Sequence, residues 1–272
     1  MGRTKALAIA FTACAWLTPA AAQGRQDTPL ITLEYRKGYT KGAYSAFAYA
    51  FAAGQDLVVH RDYDAVWSLK PPSFPNGSTL DWYVPAGTIP NGKGVWGIFQ
   101  LAFGNYAGTR HQMPVPPRKV SELDSFKTTF DWSYSGSANF NLLHEFFVTR
   151  APQPQPQPIY GTDGTIEIGV FLHLPPITRI FHEKGARIGP DHVNGGVTYS
   201  VRRNKDYITF APVDFREQLS GAIDWKAALD YLVAQKVITG SEYINGAGFG
   251  VEPTIGGGKG QMTVRSLDIT FR

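Results

Sequence analysis

From residue 31 to residue 271 the chain repeats one device: a short run of aromatic and β-branched residues, then in many places a cluster of turn residues. Such runs fit half-buried strands better than helices, whose apolar residues would recur every three or four positions. Strands are predicted at 31–35, 43–51, 57–61, 80–84, 95–103, 128–135, 140–148, 164–174, 197–202, 207–211, 243–252 and 261–271. Turn clusters such as Pro75-Asn76-Gly77 and Pro90-Asn91-Gly92 separate several of them, proline and glycine supplying the backbone angles a reversal needs. With 29 Gly, 19 Pro, 13% aromatic and only 18% charged residues, the composition suits an all-β domain with many short turns and an aromatic binding surface.

One segment departs from this pattern. Over 224–237, Trp225, Ala228, Leu229, Leu232 and Val233 recur at helical spacing, and Asp224 is placed to cap the free N–H groups of the first turn. The expected architecture is a β-sandwich of two antiparallel sheets with one helix packed outside it.

Residues 1–22 read as a secretory signal. Arg3 and Lys5 precede an apolar run from Ala6 to Leu17 that is short for a bilayer, and Ala20-Ala21-Ala22 forms a cleavage site. Cleavage would leave one domain, 23–272, outside the cytoplasm, secreted or periplasmic, with no membrane attachment. The single cysteine, Cys14, lies inside the apolar run, so the mature chain would have no disulfide, no cysteine-bound zinc and no thiol nucleophile. Without Arg3 and Lys5, 24 basic residues face 22 acidic ones, a near-neutral balance that argues against a nucleic-acid partner. The run Pro152-Gln153-Pro154-Gln155-Pro156-Gln157-Pro158 is read as a surface loop between two strands, with an interdomain linker as the alternative.

Alternation along the strands singles out three acids. In 164–174, Ile166, Ile168, Val170, Leu172 and Leu174 point one way and Glu167, Gly169, Phe171 and His173 the other. The second set resembles the floor of a wet cleft. In 246–252, Gly246, Gly248, Gly250 and Glu252 share a face, a track without side chains along which a ligand could approach. Glu145 shares a face with Asn141, Leu143 and Phe147. Two carboxyl groups facing each other across a cleft are the minimal equipment for cleaving a glycosidic bond, although any single strand glutamate is more often an ordinary solvent-facing side chain.

Other signals are weaker. Ile255-Gly256-Gly257-Gly258-Lys259-Gly260 has Gly260 where a phosphate loop needs Ser or Thr, so a turn between strands is expected. The spacing of His182, Asp191 and His192 fits no helical metal-ligand motif, and no G-x-S-x-G nucleophile elbow occurs.

Four segments in order carry a family resemblance. Trp132-Ser133-Tyr134-Ser135-Gly136-Ser137, Leu143-His144-Glu145-Phe146-Phe147, Ile166-Glu167-Ile168-Gly169-Val170-Phe171 and Gly248-Phe249-Gly250-Val251-Glu252-Pro253 with Gly256-Gly257-Gly258 resemble the corresponding segments of glycoside hydrolase family 12. The likeness is strongest over 126–272. It departs from the family at Gly169 and Phe171 (Met and Trp in the family), at Glu145 (Asp) and at His144 (Tyr), and the family's N-terminal Asn-Asn-x-Trp-Gly segment is missing. The resemblance implies a β-jelly-roll and a secreted, monomeric, cofactor-free, endo-acting retaining β-1,4-glucan hydrolase. Its substrate would be cellulose, mixed-linkage glucan or xyloglucan. Glu167 would be the nucleophile, Glu252 the acid/base and Glu145 the hydrogen-bonding partner of Glu167. Candidate sugar-stacking rings are Trp82, Trp96, Trp132, Tyr83, Tyr134, Phe147 and Phe171, of which two or three are expected in the cleft and the rest in the core. The alternative is a non-hydrolytic glucan-binding or cell-wall-loosening protein on the same fold.

Overall fold

A computed structural model describes residues 30–50, 52, 57–87, 89, 94–106, 115–153 and 164–272. The predicted signal segment lies outside them, as do residues 154–158 of the proline-glutamine run. The first half contains β1 (Ile31–Leu33), β2 (Gly38–Lys41), β3 (Tyr44–Tyr49), β4 (Asp64–Leu69), β5 (Ser78–Val84), β6 (Ile98–Gly104), β7 (Arg118–Lys119) and β8 (Phe126–Gly136). Then come β9 (Phe140–Thr149), β10 (Ile166–His173), α1 (Pro176–Lys184), β11 (Ala186–Arg187), β12 (His192–Asn194), β13 (Val197–Asn204) and β14 (Tyr207–Pro212). The last elements are β15 (Ser220–Asp224), α2 (Trp225–Ala234), β16 (Tyr243–Ile244), β17 (Gly246–Pro253) and β18 (Gly258–Phe271).

They form two sheets, ordered β1-β4-β5-β18-β8-β15 and β11-β13-β14-β10-β9-β17-β6-β3-β2. The second sheet is not purely antiparallel, because β10 and β14 pair in parallel. Period-two alternation builds the core between the sheets. Trp67, Leu80, Trp132, Met262 and Val264 from the first sheet join Phe99, Leu142, Phe146, Ile168, Val170 and Phe249 from the second in one buried cluster. Each such side chain contributes about 1.5–3 kcal/mol on leaving water.

The predicted helix is α2, and Asp224 Oδ1 accepts the Ala227 N–H at its start. Its buried stripe, Trp225, Ala228, Leu229 and Leu232, is the one read from spacing, with Val233 half-buried at its margin. Trp225 meets Phe126, Phe146 and His144 edge-on or stacked.

Two expectations change. A second helix, α1, follows β10 directly, and the predicted strand 57–61 is a turn. There Asp62 Oδ2 accepts the Val58 N–H at 2.7 Å and the Val58 carbonyl accepts the N–H groups of Arg61 and Asp62. A short acidic side chain that satisfies the backbone locally competes with sheet pairing, and the strand forms instead at 64–69, with Ala65, Trp67 and Leu69 inward. The glycine-rich segment is a turn between β17 and β18, with Gly256, Gly257 and Gly258 all at positive φ.

Candidate active site

The second sheet has a face turned away from the sandwich core, and the three acids stand on it. Strand β9 is buried on both sides: Phe140, Leu142, Phe146 and Val148 enter the core, while Asn141, Leu143, Glu145 and Phe147 take the opposite face. Register fixes the rest. Gly169 of β10 and Gly248 of β17 flank Glu145, Phe147 pairs with Glu167, and Asn141 pairs with Glu252. Directly paired residues put their side chains on the same face, so Glu145, Glu167 and Glu252 converge from three adjacent strands.

Glu145 is the best held. Gln100 Nε2 donates to its Oε1 at 2.8 Å, and the Tyr106 hydroxyl donates to the same oxygen. No amide, hydroxyl or amine among the described residues reaches Oε2. The Glu167 carboxyl stands near enough for the charge of Glu145 to raise its pKa. Burial raises the pKa of both. For Glu167 the charges of Glu145 and Glu252 add to burial, placing it well above the carboxylate range. Tyr106, Glu167 and Gln100 pull Glu145 back down. Two donors on one oxygen favour the anion on Glu145, and of the two acids Glu167 is the one pushed well above its ordinary range.

Glu252 is raised to about 8, first by burial and second by the charge of Glu145, against a hydrogen bond from Asn141 Nδ2 at 3.1 Å that favours the anion. Thr178 of α1 donates to Asn141 Oδ1 at 2.5 Å, which fixes the amide so that its N–H groups face Glu252.

The glycine stripe of β17 is not a vacant track. A Cβ at residue 248 would lie 2.7 Å from Cε1 of Tyr106 and closer still to Gln100, so the missing side chain makes room for the two groups that hold Glu145. Likewise a Cβ at residue 169 would meet the Tyr207 hydroxyl at 2.8 Å, and the space a Met would fill is taken by that ring.

Several predicted site residues lie elsewhere. Trp132, Trp82 and Trp96 are 0, 4 and 2% exposed and belong to the core, where an indole releases the most apolar surface from water. Trp132 Nε1 donates to the Gln218 carbonyl at 2.7 Å, and the Trp96 backbone N–H donates to the Pro253 carbonyl at the end of β17. Tyr134 stacks on Trp132 and donates to Glu217, away from the three acids. Tyr83 is half-buried on the first sheet, with the Lys259 ammonium 5.8 Å from its ring. Phe147 and Phe171 do share the acids' face, but Phe147 is stacked against Tyr106 and Phe171 is packed with Leu143, Leu174 and Ala211.

A register shift between Phe171 and His173 corrects the end of the β10 pattern. His173 pairs with core-facing Leu142, stacks on Phe140 at 4.4 Å and binds Glu217, while Leu174 moves to the Phe171 side. Gln100 and Tyr106 were not singled out from sequence. Gln100 was legible, since Phe99, Leu101 and Phe103 of β6 alternate with it into the core; Tyr106 follows the strand, where no period applies.

No family model matches the chain, and no curated protein matches it. Solved structures do. A family 12 xyloglucanase from Bacillus licheniformis in complex with ligand superposes with a TM-score of 0.69 at 15% identity, covering 90% of this chain and 100% of that one. Endoglucanase 3 of Trichoderma harzianum gives 0.64 at 19% identity over 89% and 98%, and endoglucanase cel12A of Rhodothermus marinus 0.64 at 18% over 89% and 100%. At such identities the likeness is one of architecture: two sheets and few helices in this arrangement are the β-jelly-roll fold of the family 12 glycoside hydrolases.

Proposed function

We propose that this protein is a glycoside hydrolase that cleaves β-1,4-glucan with retention, Glu167 acting as nucleophile and Glu252 as general acid and then base. The observation that carries the reading is the convergence of three carboxyls on one face, with Glu252 raised to about 8 by burial and the charge of Glu145. An acid that stays protonated at neutral pH can give its proton to a leaving oxygen.

In the first step the Glu252 proton goes to the glycosidic oxygen while a Glu167 oxygen attacks the anomeric carbon, forming a glycosyl ester and releasing the leaving sugar. In the second, ionised Glu252 takes a proton from water, the hydroxide attacks the same carbon, and Glu167 leaves as carboxylate. Glu145 accepts the proton of Glu167 before the first step, freeing the nucleophile. The sequence uses no cofactor. Cellulose, mixed-linkage glucan and xyloglucan are the substrate set that the family resemblance supports, and export through residues 1–22 would bring the protein to them.

One observation favours a second reading, a glucan-binding protein without turnover. Tyr106 and Gln100 both stabilise the anion on Glu145, which leaves the proton on Glu167, and a protonated carboxyl is a poor nucleophile. Reducing-sugar release from mixed-linkage β-glucan, carboxymethylcellulose and xyloglucan separates the two. The hydrolase reading expects release by the wild type that both Glu167→Gln and Glu252→Gln abolish. Retained binding with no release from any of the three substrates would establish the binding protein instead.

A further inference from the structure

Helix α1 lies on the acids' face of the second sheet. Its two buried residues, Thr178 and His182, are one turn apart and both point into that face. Thr178 donates to Asn141 of β9, while the two ring nitrogens of His182 meet Thr209 Oγ1 of β14 and Ser200 Oγ of β13, each at 2.8 Å. Phe181 lies against Tyr207 of β14, ring centroids 6.1 Å apart. By register Thr209 is the partner of Gly169 and Tyr207 that of Glu167. The helix therefore extends from β9 across to β13 and stands on β14, the strand beside the proposed nucleophile.

Glu167 and Glu252 stand on the two strands that flank β9, so a glucan held between them lies over β9 and extends past β10 on one side and β17 on the other. One strand further on from β10 is β14, about 4.8 Å away. The position is already filled by His182 and Phe181. Toward β6 and β3 no helix covers the sheet among the described residues.

We propose that α1 closes the cleft beyond the nucleophile strand, so that a glucan enters from the β6 side, places one end against the helix and is cut near that end. This rests on the hydrolase reading and narrows the mid-chain attack that the family resemblance implies.

Two measurements test it. The first is calorimetric binding of β-1,4-linked gluco-oligosaccharides of increasing length to Glu167→Gln. The second is the fall in viscosity of carboxymethylcellulose per reducing end released by the wild type. A closed cleft gives an affinity that changes less than about twofold once the open side is filled, and short products with little loss of viscosity. An affinity that still climbs about tenfold over the longest oligosaccharides, or an early collapse of viscosity, overturns the closure and leaves the hydrolase standing. Length-limited binding with no release by the wild type overturns the hydrolase and leaves the closure standing. Failure to bind any length overturns both.

Discussion

Tyr106 occupies the space that a side chain at Gly248 would need, and from there its hydroxyl reaches Glu145. Two predictions follow from that pairing. Gly248→Ala should displace the ring and lower kcat about a hundredfold. Tyr106→Phe, which keeps the ring and removes only one charge-assisted hydrogen bond to Glu145, should weaken the anion there and move the rising limb of kcat/KM to lower pH with KM nearly unchanged. Steady-state kinetics on a soluble β-glucan reads both, and an active Gly248→Ala would show that Tyr106 does not hold the site.

The pH profile should be displaced upward. The proposed mechanism needs Glu167 ionised and Glu252 protonated; Glu167 lies well above the ordinary carboxylate range and Glu252 near 8. The rate should therefore rise above mildly acidic pH and fall as pH passes about 8. Replacing Gln100 by Leu weakens the anion on Glu145 and with it the charge that raises Glu167. The rising limb of kcat/KM should move to lower pH, as an apparent value of the coupled pair.

His144 should make stability fall in acid. Buried between the sheets, its Nδ1–H donates to the Gly248 carbonyl and its Nε2 accepts from Thr128, both at 2.7 Å, and burial holds its pKa at about 4 against the ordinary 6.5. The unfolded chain takes up this proton below pH 6.5, whereas the folded one refuses it until about 4. The histidine's contribution is thus complete above 6.5 and lost on the way down, about 3 kcal/mol in all. Denaturant titrations of wild type and His144→Phe at pH 7 and pH 4 should show their stability difference shifting by that amount in favour of the variant.

Glu252→Gln should show the opposite pH sign. A carboxyl raised to about 8 favours the folded state below the ordinary 4.5 and loses that advantage as pH rises through 8. The neutral amide removes the dependence, so the variant should gain on the wild type between pH 5 and pH 9 by on the order of 3 kcal/mol while losing turnover. Thermal melts at the two pH values, alongside activity, check both halves.

Trp132→Ala should damage the fold rather than the subsites. The ring is fully buried, stacked on Tyr134 and tied to the Gln218 carbonyl. Its loss should cost about 3–5 kcal/mol of stability, while the protein that remains folded binds glucan within about twofold of wild type. A large loss of affinity at unchanged stability would return Trp132 to the cleft.

Alternation alone placed Ile168 and Val170 in the core and Glu145, Glu167 and Glu252 on the opposite face, because a strand commits every second side chain to one side wherever it pairs. The same rule failed at His173, where a bulge turns the chain and a period-two reading continues past it unaware. Helix α2 was legible from its stripe and its Asp224 cap. Helix α1 was not: the residues it buries are Thr178 and His182, polar side chains that form no apolar period and are satisfied only by Asn141, Thr209 and Ser200 on distant strands.

Local sequence thus determined most of the long strands, the apolar face of each up to a bulge, and which acids stand opposite the core, since these depend on neighbours two to four residues away. Tertiary structure decided what meets those acids. Tyr106 and Gln100 hold Glu145 across 39 and 45 residues of chain, Glu252 is set by Asn141 and through it by Thr178, and the tryptophans went inward. A carboxyl's charge and reach are fixed by the burial and donors around it, and those arrive from segments that only the closed sandwich brings together.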